Sequence, residues 1–357
     1  MSGRRLGQFV LERGSRSWAK LLAVWVGAAV LAMAGVAVIL ILAGDPVTGS
    51  FRAMWNATFG SPGSIGETLV ASTPLILTGL SVAVARRMRL WNFGAEGQLY
   101  VGAIFATALA LWYPDAPRPI LVLAVLGAGA LGGAAWALVP GLLKVRLRIN
   151  EVITTVLLNV VAIVIVERLV QGRWRDPLAL GYPLTKTLSI NATLPTIPRT
   201  SVHGGFLIAV AAALFIWFVT LTPWGRDLAS TGEEAPGTPK AGRRVARNIV
   251  LVMLVSGALA GIAGMGEVSG VAHRLHADIS ASAGYVGILI AVLARFSPIR
   301  VVILAVPFGA LLVAGTSLQA MGVEDFVVRV VQVAIVGIAL VAVAITRFGA
   351  RSETSAA

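Results

Sequence analysis

Three groups of polar residues interrupt a chain that is otherwise strongly apolar. Asn92, Glu96 and Gln98 open the stretch "LWNFGAEGQLYVGAIFATALALW". Glu151, Thr155 and Asn159 lie in "INEVITTVLLN", at i, i+4 and i+8, so a helix puts them on one face. Glu267 ends the glycine-rich run "SGALAGIAGMGEVSG". Such carboxylates, amides and hydroxyls can hydrogen-bond a polar solute or relay a proton. Nothing around them builds a bond-cleaving constellation. The chain has no HExxH and no GxSxG motif, and "GTPKAG" lacks the spacing of a phosphate-binding loop. The absence of cysteine excludes thiolate catalysis, thiolate metal sites and disulfides. His203, His273 and His276 lie near the outer ends of helices, and two ligands without a third make a poor zinc site. They are expected to be solvated interfacial histidines, and no metal or other cofactor is expected in this chain.

Each polar group has a structural reading beside the functional one. Asn92 is placed to cap a helix whose first turn holds Glu96, where the helix dipole favours an anion. Four residues apart on a helix, the two would share a face. Glu96 could also pair with Arg86, Arg87 or Arg89 if the polar head sits at the inner membrane boundary. Gly94 and Gly97 permit an irregular, broken entry facing a cavity. Asn150 is a natural cap for the next polar helix, and Glu151 suits its first turn. Asn159 lies too deep for that, so it either finds an interhelical partner or lines a cavity. Gly129 with Gly133, and Gly257 with Gly261, have the small-xxx-small spacing that lets helices approach closely. Glu267 is expected near the outer surface, in reach of solute or a docking protein.

The elements that hold these residues are membrane helices. Hydrophobic residues make up 57% of the 357 and charged residues 13%, against about 25% charged in soluble domains. A span needs about 20 apolar residues. Ten candidates occur, at about 21–43, 66–85, 93–112, 119–142, 152–170, 204–222, 249–268, 283–295, 300–317 and 326–346, the eighth being short. The first is too long for a signal peptide and is expected to stay as an anchor. With the amino terminus inside, alternation places about 20 of the 29 Lys and Arg residues on the cytoplasmic side, as positive-inside topology requires. The net charge of +13 is therefore topological, and nucleic-acid binding is not expected. The expected organisation is an all-α polytopic bundle with both termini cytoplasmic. A basic tail (1–20) precedes a transmembrane domain (21–346), and a second tail (347–357) follows it. A proline-rich outer loop (171–203) and a basic inner loop (223–248) interrupt the domain.

Taken together, "LWNFGAEGQLYVGA", "VPGLLKVRLRINEVITTVLLNVVA" and "LVSGALAGIAGMGEVSGV" resemble the permease subunits of ABC importers of the nucleoside type. These belong within the wider sugar and branched-chain amino-acid permease superfamily. The likeness runs over roughly 65–345. It implies a multi-pass protein of the bacterial inner membrane that imports nucleosides or related small polar solutes. It implies a second permease subunit, a cytoplasmic ATP-binding subunit carrying ATP and Mg, and an extracytoplasmic substrate-binding protein or lipoprotein. It makes Asn92, Glu96, Gln98, Glu151, Thr155, Asn159 and Glu267 candidates for the translocation path. It also places an ATPase-coupling segment in the inner loop, with Gly232, Glu233, Glu234, Lys240, Gly242, Arg243 and Arg244. There the family commonly has a segment like "VGxNPxAARYAG", whereas this chain has "TGEEAPGTPKAG". Proline disfavours helix interiors, so a coupling helix over this stretch would be shortened, displaced or absent. The competing expectation is an ion- or proton-coupled secondary transporter or channel, in which Glu96, Glu151 and Glu267 carry protons.

Overall fold

The computed structural model describes residues 18–231 and 242–348, and among these it contains twelve α-helices and no β-strand. The helices are α1 (Trp18–Ala43), α2 (Val47–Phe59), α3 (Pro62–Ala85), α4 (Ala95–Trp112), α5 (Arg118–Leu147) and α6 (Glu151–Gln171). They continue as α7 (Gly204–Leu221), α8 (Pro223–Thr231), α9 (Gly242–Gly266), α10 (Ala283–Leu293), α11 (Pro298–Ala320) and α12 (Asp325–Phe348). A 3-10 turn at Arg86–Met88 follows α3, and a π-helix at Glu267–Ala272 extends α9. Every one of the ten expected apolar segments carries a helix. Eight are long and apolar enough to cross a membrane. The two outside that set are α4, whose first turn holds Glu96 and Gln98, and the 11-residue α10. No apolar run marks α2 or α8, because Arg52 and Asn56 interrupt the one and Arg226 and Asp227 the other.

The chain forms two compact units. One joins residues up to Ala57 with those from Ala314 onward. In it α1 packs on α12 through buried Val36, Leu40 and Val331. The opposite side of α1 exposes Leu22, Val26, Val30 and Met33, an apolar face suited to lipid rather than water.

The other unit, residues 58–313, contains every candidate path residue. Its centre is α3, capped by the Ser61 side chain on the Ser64 N–H and buried almost without interruption from Ser72 to Ala83. Helices α4, α5 and α9 meet through backbone rather than side chains. A Cβ on Gly133 would strike the Gly257 carbonyl, and one on Gly261 would strike the Gly129 carbonyl. Only glycine allows that approach, which gains dispersion contacts that lipid cannot offer as a substitute. Around this core, α6 and α7 turn Ile153, Leu157, Val160, Phe215 and Phe218 outward.

Candidate translocation site

The chain leaves α3 through the 3-10 turn, and Arg89 takes a left-handed conformation (φ 56°) that reverses its direction. It then re-enters the bundle. Asn92 is fully buried, and its amide nitrogen donates to Gln98 Oε1 (2.8 Å), Ser256 Oγ (2.7 Å) and Ser81 Oγ (3.2 Å). Its oxygen accepts from the Gly94 N–H (2.9 Å) and from Gln98 Nε2 (3.0 Å). Ser256 Oγ donates to the Ser81 carbonyl at 2.7 Å. The amide polar atoms of Asn92 and Gln98 are thus paired with each other and with their neighbours. An unpaired buried polar group costs about 1–3 kcal/mol, so a completed network specifies one arrangement.

This geometry corrects two expectations. Helix α4 begins at Ala95 with Gly94 as its cap residue, so Asn92 lies before the helix and shares no helical face with Glu96. The polar head also sits inside the bundle rather than at its inner boundary. Ser81 is six residues from Arg87 and Ser256 nine from Arg247, about 9 and 14 Å at the helical rise. The turn is affordable at that depth because α3 and α9 supply the hydrogen bonds that water would otherwise make.

Glu96, 3% exposed, lies in the first turn of α4, and its Oε2 accepts from the Gly284 N–H at 2.8 Å. Gly284 is in the first turn of α10, so one carboxylate serves the amino ends of two helices. It makes no ion pair with Arg86, Arg87 or Arg89 among the described residues. A Cβ on Gly284 would strike the Glu96 backbone. At 11 residues, α10 is about 16 Å long, half the hydrocarbon thickness. Its start is held by Thr78, whose hydroxyl donates to the Ala283 carbonyl at 3.0 Å. Tyr100 holds the preceding loop through the Ala277 carbonyl at 2.8 Å. The Ser280 hydroxyl lies beside the Glu96 carboxylate, yet it has no hydrogen bond of good geometry.

Helix α6 presents Glu151, Thr155 and Asn159 inward, all buried. Asn150 caps it, accepting from the Val152 N–H at 2.9 Å. Glu151 pairs with Lys144 (2.7 Å) and accepts from the Trp91 N–H (3.4 Å), and Thr155 donates to the Glu151 carbonyl (2.7 Å). Asn159 finds an interhelical partner. Its oxygen accepts from the Gly97 N–H (2.9 Å) and its nitrogen donates to the Phe93 carbonyl (2.8 Å). Gly97 N–H is one of the unbonded donors in the first turn of α4, so Asn159 caps α4 from a neighbouring helix.

Glu267 stands apart from this network. It begins the π-helix and makes no hydrogen bond or ion pair among the described residues. His203 also departs from expectation, since, whereas His273 and His276 are half-buried, it is 2% exposed and caps α7, accepting from the Gly205 N–H at 3.1 Å. Burial, reinforced by neighbouring His273, pushes its imidazole down to about 4. It is drawn inside because loop 184–194 pairs with the segment after α9, through Leu194 N–H to Ser269 O (2.9 Å) and Leu188 N–H to His273 O (2.8 Å). His273 ends the π-helix in a left-handed conformation, so it shares no helix face with His276. No group of three or more metal-ligating side chains occurs among the described residues.

Of the inner-loop candidates, Gly232, Glu233, Glu234 and Lys240 lie outside the described residues, as do Pro236 and Pro239. Gly242 and Arg243 begin α9, and Arg244 pairs with Asp227 of α8. Leu228 of α8 packs with Ala85, Met88, Leu90, Val252 and Met253. Helix α8 therefore rests directly on the turn that leads to Asn92. Arg86 lies over the Trp91 ring at 4.7 Å, closing that turn from the side. Sequence reasoning missed Ser81, Tyr100, Ser256 and Gly284. The two serines were visible as polar interruptions of apolar spans, but nothing local named their partner.

Residues 64–344 match the family described as branched-chain amino acid transport system, permease component. The chain belongs to that family. It is a multi-pass membrane permease subunit of the ABC-transporter type. The guanosine ABC transporter permease protein NupP of Bacillus subtilis is 33% identical over 85% of this chain and 88% of its own. The nucleoside ABC transporter permease protein NupB of Lactococcus lactis is 30% identical over 85% of each. The glucose ABC transporter permease protein TsgB13 of Haloferax volcanii is 32% identical over 86% of this chain and 83% of its own. No solved structure matches the chain.

Proposed function

We propose that this permease forms one half of the transmembrane path of an ATP-driven importer for nucleosides or related small polar solutes, in a bacterial inner membrane. The observation that carries the reading is the meeting of two interrupted helices, α4 and α10, at Glu96 within the bundle. Interrupted helices that meet at depth recur in helical transporters, where they mark the region that rocks between outward and inward access. The relatives named for guanosine and nucleosides supply the cargo class.

In this reading a second permease subunit completes the path, and a substrate-binding protein delivers cargo from outside. A cytoplasmic subunit binds ATP and Mg and hydrolyses the nucleotide. Helix α8 and the loop after it receive its stroke. Because Leu228 packs on Met88 and Leu90, a displacement of α8 tilts the 86–94 turn. That turn carries the amino end of α4, and Glu96 ties α4 to α10. The path would thereby switch its accessible side without any bond chemistry in this chain.

The test is uptake of labelled guanosine by proteoliposomes holding the permease pair, the ATP-binding subunit and the binding protein. Uptake that requires ATP inside and the binding protein outside is expected. Uptake by this chain alone that an uncoupler abolishes would replace the reading with a proton-coupled carrier.

A further inference from the structure

Ser256, Ala260, Ala263 and Glu267 follow one another on α9 at intervals of four, three and four residues, which is a single helical face. That face points inward. Ser256 bonds Ser81 of α3, and Ala260 packs with Val82, Ala95, Ile288 and Ala291. Glu267 continues the seam one turn beyond Ala263, where the helix widens into its π turn. Turns of that kind recur at functional sites. The carboxylate is only partly accessible and has no hydrogen-bond or ionic partner among the described residues. Two residues on, the Ser269 hydroxyl is buried and equally without a partner. A carboxyl group held inside a membrane bundle with nothing to pair with carries a desolvation cost in either protonation state. Packing does not explain it, since the other seam positions, Ser256, Ala260 and Ala263, all carry small side chains.

We infer that Glu267 is a specificity-determining residue whose carboxylate accepts hydrogen bonds from two neighbouring hydroxyls of a neutral sugar ring. The inference rests on the permease reading above. Two oxygens on one planar group match a pair of adjacent O–H donors. Anionic solutes such as nucleotides are repelled by the carboxylate. Cations are opposed by the loop at this end of the bundle, residues 171–203, where Arg173, Arg175, Lys186 and Arg199 outnumber Asp176. Its backbone pairs with the π-helix through Leu194 N–H and Ser269 O. The two filters together leave neutral hydroxylated solutes. The hydroxyl pair belongs either to the ribose of a nucleoside or to a free hexose.

The test compares uptake of guanosine, 2′,3′-dideoxyguanosine and glucose by the complete reconstituted transporter with wild-type, Glu267→Gln and Glu267→Asp chains. Glu267→Gln should raise KM for the hydroxylated cargo by roughly tenfold or more, the scale of a lost charge-assisted hydrogen bond. It should leave the dideoxy analogue nearly unaffected. Glu267→Asp, which keeps the charge, should retain the preference for the hydroxylated form even if uptake slows. Guanosine sensitivity with glucose inert assigns a ribose, and the reverse assigns a hexose. Equal, non-zero KM changes for guanosine and its dideoxy analogue, or no KM change for either guanosine or glucose, would overturn the inference while the permease reading stands. A wild-type transporter that moves neither guanosine nor glucose with ATP would remove the reading, and the inference with it.

Discussion

The inward seam of α9 has two ends, and they differ in hydrogen bonding. At Ser256 the surrounding hydroxyls and amides are paired, through Asn92, Gln98 and Ser81. Eleven residues further on, Glu267 is unpaired, Ser269 Oγ is buried without a partner, and so are His203 Nε2 and His273 Nδ1. A satisfied buried network rigidifies, whereas an unsatisfied one either admits water or a ligand or is a liability. The first end is therefore a lock that holds the start of α4 against α3 and α9. The second end is where a solute has hydrogen-bonding groups left to meet.

The comparison breaks most severely at Asn92. Asn92→Leu leaves Ser81, Ser256, Gln98 and the Gly94 N–H short of partners, at about 1–3 kcal/mol each. We expect a loss of more than about 3 kcal/mol, read as little folded protein by size exclusion and a sharply lower Tm in detergent. A variant that stays folded and transports normally would mean the lock is dispensable.

Acidification probes the other end. His203 is held near 4 in the folded chain, below the usual value of about 6.5. The unfolded chain binds the proton first, so stability is full above about pH 6.5 and falls as pH drops towards 4. The loss approaches roughly 3 kcal/mol at pH 4. Wild type should lose Tm over that window, and His203→Gln should lose less. Equal slopes for the two would show that His203 is not the group responsible.

Asn159→Leu should cost about 2 kcal/mol, because the Gly97 N–H and the Phe93 carbonyl lose their partner. It should also slow uptake by loosening the start of α4. Unchanged Tm and uptake would remove the cross-helix cap from the account. Lys144→Ala is the mildest change. Its ion pair with Glu151 is partly exposed, so a Tm shift equivalent to less than about 1 kcal/mol is expected.

These contrasts also mark what the sequence made legible. Apolar runs of 20 residues have one stable state in lipid, so all ten expected segments are helical. Periodicity placed Glu151, Thr155 and Asn159 on one buried face, and the Asn150 cap was local enough to read. The lock was not. Asn92 looks like a cap because caps are recognised from neighbours within four residues, whereas its partners Ser81 and Ser256 lie 11 and 164 positions away. Glu96 likewise reads as a first-turn anion of its own helix, and its bond to Gly284 spans 188 positions. The short α10 reads as a weak span. Its role as a half-helix emerges only when its first turn is placed against α4.

The contrast between the two ends can be measured directly, because the chain contains no cysteine. Single substitutions Gln98→Cys and Glu267→Cys, in nanodiscs open to both sides, can be treated with a small membrane-impermeant thiol reagent. The account predicts rapid labelling at 267, slowed by guanosine, and negligible labelling at 98. Labelling at 98 as fast as at 267, or none at 267, would contradict it.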